Sequence, residues 1–295
     1  MGPAEVIDAH HHLWDLQAVD YPWLRAGGVR RFFGDPTPIQ RDYLPADFRA
    51  DAAGLRVAGS VHVQVGAAPA ASVAETVWLQ AQAEKTGLPS AIVAFADLTD
   101  PRLDAALAAH AGASPRLRGI RQIVSRHPSE DGPTGSLSLL DDARFLAGLR
   151  RLADHELSFD LQLSAPLLGG AARRLAEVPE LRVALCHAGS PWDRSPEGLQ
   201  AWRRGLADMA ALPNCYAKIS GLGMFDPQWT PASLAPIIEG VLAAFGPART
   251  MWGSNFPVDK LYRSYRELID AVARQVPRDM HEAVFAGTAR AFYRL

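Results

Sequence analysis

Short apolar, β-branched runs recur along the chain, separated by longer stretches in which apolar residues return about every 3.6 positions. The runs predict strands at 5–12, 58–65, 90–97, 118–124, 157–163, 182–187, 214–219 and 249–254. The intervening Ala-, Leu- and Arg-rich stretches predict helices at 70–86, 101–111, 141–155, 167–178, 196–211, 231–245 and 261–274, with a last one near 279–291. Several helices open on a polar residue followed by proline, as at Asp100-Pro101, Ser195-Pro196 and Thr230-Pro231. Proline suits that place because the first turn leaves its N–H groups unpaired in any case. Strict alternation of buried strand and helix implies parallel pairing. Eight such units predict an α/β fold of the (β/α)8 TIM-barrel type, one domain spanning 1–295. A doubly wound open sheet is the alternative, but no Gly-rich phosphate fingerprint follows any strand, which weakens it as a dinucleotide binder.

Irregular segments are concentrated after strand 1 (13–45), strand 4 (125–139), strand 6 (188–195) and strand 7 (220–230). All leave the carboxyl ends of strands, the rim where such barrels place their active sites. YPWLRAGGVRRFFGDP and GSPWDRSP supply aromatic rings and arginines, with Trp23 and Trp192 as candidates to enclose an organic ring or anion. The competing reading is that these rings only pack the loops onto the barrel. With 48% apolar residues the chain can bury a large core, and a formal charge of −2 without long charged blocks argues against nucleic acid or anionic lipid. A small-molecule partner, anionic in character, is expected instead. Cys186 and Cys215 show no CxxC spacing and read as reduced, buried residues. Neither a signal segment nor a run of about 18 apolar residues is present, so the cytoplasm is the expected location. Apolar helix faces leave room for a homodimer.

Candidate chemistry sits at the strand ends. In IDAHHHLWD, strand alternation places Asp8, His10 and His12 on one face and Ala9 and His11 on the other. His187 closes strand 6, Asn255 follows strand 8, and Asp160 and Gln162 share a face of strand 5, so a closed barrel gathers them at one mouth. His62 reads as a core histidine. Arg121 and Lys218 are the cations available to an anionic substrate, although a salt bridge under the helix layer is an equal reading for Arg121. His127 is a further candidate beside Arg121, and Asp97 reads as a capping group.

Taken together, IDAHHHLWD, YPWL, HVQV, GIRQIV, FDLQL, LCHAGSPW, KISGLG and MWGSNFPVDK run through nearly the whole chain in order. On these segments the sequence resembles the amidohydrolase superfamily, in its amidohydrolase-2 branch of sugar-lactonase and dicarboxylate-lactonase-like proteins. The resemblance implies a (β/α)8 barrel that hydrolyses a lactone, ester or amide. It also implies that His10, His12 and His187 would be the ligands if a metal is bound. Two positions depart from the pattern: FDLQL lacks the strand-5 histidine of many metal-dependent members, and Asn255 stands where most have aspartate. An amide is neither a base near neutral pH nor a good zinc ligand. The base is therefore expected to be His187, with Asp160 and Asp259 next, and Asn255 a hydrogen-bond donor to a carbonyl or water. Asn255 as an ordinary turn residue is the alternative. No cofactor is favoured, and a single divalent ion such as zinc is the competing expectation. The expected activity is hydrolysis of a small lactone, or related ester or amide, carrying a carboxylate or ring. A decarboxylase of an aromatic or unsaturated acid, or a binding protein on the same barrel, are the alternatives.

Overall fold

The computed structural model describes residues 2–134 and 136–295. Each expected strand is present and shorter than expected, with β2 and β4 starting one residue earlier: β1 (Val6–His11), β2 (Val57–Val63), β3 (Ala91–Ala94), β4 (Leu117–Ile120), β5 (Ser158–Leu161), β6 (Val183–Leu185), β7 (Cys215–Ile219) and β8 (Thr250–Trp252). They form one eight-stranded sheet in the order β1 to β8, every neighbouring pair parallel. Beyond the strand ends β8 meets β1 through two backbone hydrogen bonds, Asn255 N–H to the His10 carbonyl and His12 N–H to the Phe256 carbonyl, both 2.7 Å. The (β/α)8 barrel expected from the alternation is the fold observed.

Helices follow the strands in turn: α1 (Pro45–Asp51), α2 (Ser72–Thr86), α3 (Leu103–Ala113), α4 (Ala143–Asp154), α5 (Leu168–Leu175), α6 (Pro196–Ala210), α7 (Pro231–Phe245) and α8 (Tyr265–Gln275). Two of the Pro signals work as read. Ser195 Oγ accepts the Gly198 N–H and opens α6, and Thr230 Oγ1 accepts the Ser233 N–H and opens α7. At Asp100-Pro101 the carboxylate instead holds Arg102 N–H at 2.7 Å, and α3 starts later, at Leu103. Part of the segment expected as irregular over 125–139 is a short helix, Pro128–Thr134, while Gly135 lies outside the described residues. The last helical stretch contains a π-turn, Ala283–Gly287, that leads into α9 (Thr288–Tyr293). Phe292 and Tyr293 of α9 pack against the barrel-interior residues Ile7, Val61, Val93 and Met251, while Arg118 and Arg182, beside the starts of β4 and β6, bond its carbonyls. The C-terminal segment therefore seals the amino end of the barrel. Among the described residues no helix is long and apolar enough to cross a membrane.

One ion pair lies inside this seal. Lys218 Nζ bonds Asp160 Oδ2 at 2.5 Å and the Ala9 carbonyl at 2.7 Å, and Tyr293 donates to Asp160 at 2.9 Å, with both ionic side chains fully buried. Each charge has its counter-charge and further hydrogen bonds, the condition under which a buried pair is tolerated. Lys218→Met, which strands the carboxylate, should lower unfolding free energy by about 3–5 kcal/mol in denaturant titration. The double variant Lys218→Met/Asp160→Asn should lose less than Lys218→Met alone, and an equal or larger loss would contradict this account of the pair.

Candidate active site

Strand β1 does not keep the alternation expected of it. Asp8 pairs with Ser60 and His11 with His62, so three steps along β1 match two along β2, a one-residue bulge at Ala9-His10. Asp8 consequently lies outside the mouth, where it accepts from Ser254 N–H at 2.9 Å and from the Tyr265 hydroxyl of α8 at 3.0 Å. His11 turns to the helix side, its ring 4.4 Å from that of Phe48 on α1. His10 and His12 still meet, with ring centroids 5.1 Å apart, and His10 lies 4.5 Å from His187. The expected grouping of Asp8 with the two histidines is therefore corrected by the bulge, while the convergence of His10, His12 and His187 is what the structure shows.

Backbone restraints hold the three rings in place. His187, Ala188, Gly189 and Ser190 all have positive φ, between 52° and 70°, a strained turn that leaves β6 abruptly. Gly221, at φ +63°, lies so close that a Cβ there would come within 2.8 Å of the His187 ring carbon Cγ. A Cβ on Gly253 would meet His10 Cβ at 2.6 Å. His187 Nδ1 lies 3.1 Å from Ser220 Oγ, whereas both ring nitrogens of His10 are buried without a partner among the described residues.

His12 is the most constrained of the three. Its Nδ1 is 2.7 Å from the Val63 carbonyl, which only accepts, so Nδ1 carries the proton. Burial, followed by the nearby Arg121 charge, pushes the His12 pKa down to about 3. The ring is thus neutral and Nε2 bears a lone pair. Asn255 Oδ1 faces that nitrogen at 3.2 Å, and Asn255 Nδ2 donates to Asp259 Oδ2 at 2.6 Å. The amide therefore turns an acceptor toward His12, where the sequence suggested a donor. Asp259 is buried behind Asn255 and also accepts Gly223 N–H at 2.8 Å; burial pushes its pKa up to about 7, against the pull of these two hydrogen bonds.

A cavity of about 660 Å³ opens above these groups, lined by His12, Gln162, His187, Asn255, Arg121 and Trp23 among others. Of the remaining candidates, Asp160 and Lys218 are locked together in the sealed interior, Asp259 lies behind the cavity wall, and Trp192 packs against His127 with ring centroids 5.5 Å apart. Arg121 faces the cavity and not the helix layer. Its guanidinium bonds Gln162 Oε1 at 3.1 Å and the Gln64 carbonyl, and its Nε is buried without a partner among the described residues. Sequence reasoning passed over Arg126, Trp14 and Glu130, which also line the cavity, while Arg31, within YPWLRAGGVRRFFGDP, pairs with Glu130 there. Arg126 lies on the irregular segment that follows strand 4 at the carboxyl rim, and that place was the available signal.

A parallel eight-stranded barrel with imidazoles, an amide and a guanidinium gathered at its carboxyl end defines a hydrolase-like site on a TIM-barrel scaffold. An amidohydrolase family model, Amidohydro_2, matches residues 7–295, and the chain belongs to this enzyme family. It is 38% identical over 301 residues to the uncharacterized protein y4mH of Sinorhizobium fredii, with 100% of each chain covered. It is 31% identical to an L-fucono-1,5-lactonase of Burkholderia multivorans, covering 98% of this chain and 96% of that one. A crystal structure of a Burkholderia multivorans amidohydrolase with bound zinc superposes with a TM-score of 0.83 at 29% identity, covering 99% of this chain and 100% of that one.

Zinc in that relative invites a test of the residues here. His10, His12 and His187 offer nitrogen donors of the right kind, and unpartnered ring nitrogens on His10 are consistent with one. Yet among the described residues no three His, Cys, Asp or Glu side chains are grouped so as to hold a metal ion. Asn255 brings no charge, Asp160 is neutralised by Lys218, and the Arg121 guanidinium lines the same cavity. The three histidines are the residues that would hold a single divalent ion, with no free carboxylate beside them among the described residues to balance its charge.

The buried imidazoles make stability depend on pH in a definite direction. His10, His11, His12, His62 and His187 all have folded pKa values pushed far below 6.5 by burial. The unfolded chain therefore binds extra protons as pH falls below about 6.5, and stability is lost on that side. Asp8, Glu75 and Asp259, raised by burial to about 6, 7 and 7, act oppositely, losing stability as pH rises from about 4 to 7. Five imidazoles outweigh three carboxyls, so the thermal midpoint should fall between pH 7 and pH 4.5. A midpoint that rises over that interval would show the histidines to be charged in the folded protein.

Proposed function

We propose that the protein hydrolyses a lactone bearing a carboxylate, with His12 as the base in place of the expected His187. The observation that carries this is the bond from His12 Nδ1 to the Val63 carbonyl, which leaves a bare Nε2 at the cavity. His187 has a hydroxyl partner able to donate or accept, so its free nitrogen has no assigned polarity. In the reaction a water oxygen bonds the acyl carbon while its proton passes to His12 Nε2. The carbonyl electron pair moves to oxygen, and Arg121 stabilises the resulting oxyanion. Burial disfavours the imidazolium, but the oxyanion forming in the same cavity offsets its charge. As the carbonyl re-forms, the ring C–O bond breaks and the departing alkoxide recovers the proton from His12, giving the hydroxy acid.

Support for an anionic substrate comes from two cavity arginines that form no direct ion pair. Among the described residues the Arg121 and Arg126 guanidiniums bond no carboxylate, whereas Arg31 is held twice by Glu130 at 2.9 Å. Trp14, Trp23 and Phe33 line the cavity with apolar aromatic surface against which a ring can pack. Related lactonases act on L-fucono-1,5-lactone, which has no carboxylate, so comparing it with a glucaro-lactone separates the two features. Indicator-coupled hydrolysis should show the glucaro-lactone preferred, with Arg126→Ala raising its KM and leaving that of the neutral lactone unchanged. His12→Ala should lower kcat by about 10²–10⁴-fold. Failure to open either lactone above the buffer rate would overturn the hydrolase reading, and equal KM changes for both would overturn the carboxylate.

A further inference from the structure

Asp259 is placed for a role that its distance from the cavity conceals. It sits on the turn Asp259–Leu261 after β8, 2% exposed and outside the cavity lining. Both its oxygens accept hydrogen bonds, Oδ1 from Gly223 N–H at 2.8 Å and Oδ2 from Asn255 Nδ2 at 2.6 Å. A side chain on Gly223 would intrude on this contact, since its Cβ would come within 2.9 Å of Asp259 Oδ1. With its nitrogen drawn to Asp259, the Asn255 amide can present only oxygen to His12, 3.2 Å away. In the neutral Nδ1–H tautomer that the Val63 carbonyl selects, His12 Nε2 is a lone pair. In that tautomer two acceptors face each other, an arrangement that is satisfied when one molecule donates to both.

We propose that Asp259 is a positioning residue: by fixing the direction of the Asn255 amide, it makes Asn255 Oδ1 and His12 Nε2 a pair of acceptors for the two O–H bonds of the attacking water. Held so, the water keeps its lone pairs for the acyl carbon, and the proton bound by Nε2 is the one transferred. The inference rests on the hydrolase reading above for its kinetic consequence but not for its geometry. It also accounts for an asparagine where an aspartate is the usual residue, since the carboxylate behind the amide recovers an acceptor at the cavity.

A residue swap tests this. In Asp259→Asn the new amide is able to donate to Asn255 Oδ1, so the amide direction is no longer forced; kcat on the lactone that the wild type turns over best should fall about 10–100-fold with KM little changed. In Asn255→Asp/Asp259→Asn the carboxylate at 255 accepts from the amide behind it and again turns an oxygen to His12, and kcat should recover at least tenfold over Asp259→Asn. Thermal midpoints of the variants separate misfolding from mispositioning. The second readout needs no turnover: in ¹H–¹⁵N spectra the Asn255 side-chain amide should exchange slowly in the wild type and lose that protection in Asp259→Asn. Unchanged kcat in Asp259→Asn, a swap no better than it, or an Asn255 amide indifferent to residue 259 would each overturn the positioning role. If no lactone is turned over, the hydrolase reading fails, and the spectra alone decide the geometry.

Discussion

The bond between His12 Nδ1 and the Val63 carbonyl is the constraint on which the site depends. A backbone carbonyl on a barrel strand has no alternative protonation state, so it imposes one tautomer on the imidazole and leaves the opposite nitrogen basic. Burial keeps that imidazole neutral. Under the proposed hydrolysis, Asn255, His187 and Arg121 take their roles from an imidazole whose tautomer is settled by the main chain.

The barrel creates this relation through two irregularities in otherwise regular strands. The bulge in β1 shifts the phase of alternation, so that Ile7 and Ala9 face the barrel interior while His10 and His12 face the mouth, and the two hydrogen bonds beyond the end of β8 bring Asn255 beside them. Below, α9 and the Lys218–Asp160 pair seal the interior, so these charges compensate each other and leave Arg121 and Arg126 to set the field of the cavity. The scaffold thus separates a neutralised interior from a positively biased opening. That separation suits an anionic substrate and a developing oxyanion alike.

The alternation of apolar runs and amphipathic stretches made the barrel legible, because eight buried parallel strands admit few other arrangements. The gathering of His10, His12 and His187 followed from their places at strand ends. Other features had no signature in a linear reading. A bulge is a single-residue offset against a partner strand some fifty positions away, so alternation assigned Asp8 to the wrong side. Asp160 and Lys218 each looked available because their mutual pairing spans 58 residues. The polarity of Asn255 is set by Asp259, and only the folded turn shows which atom of the amide points outward. Arg126 was hidden by its neighbour His127, the more conspicuous residue of the same loop.

The tautomer of His12 is open to direct measurement. Long-range ¹H–¹⁵N spectra of protein labelled at histidine ring nitrogens should show His12 protonated at Nδ1 and bare at Nε2, unchanged from pH 5.5 to 8.5. A His12 ring protonated at Nε2, or one that titrates near the ordinary imidazole value of about 6.5, would contradict the account.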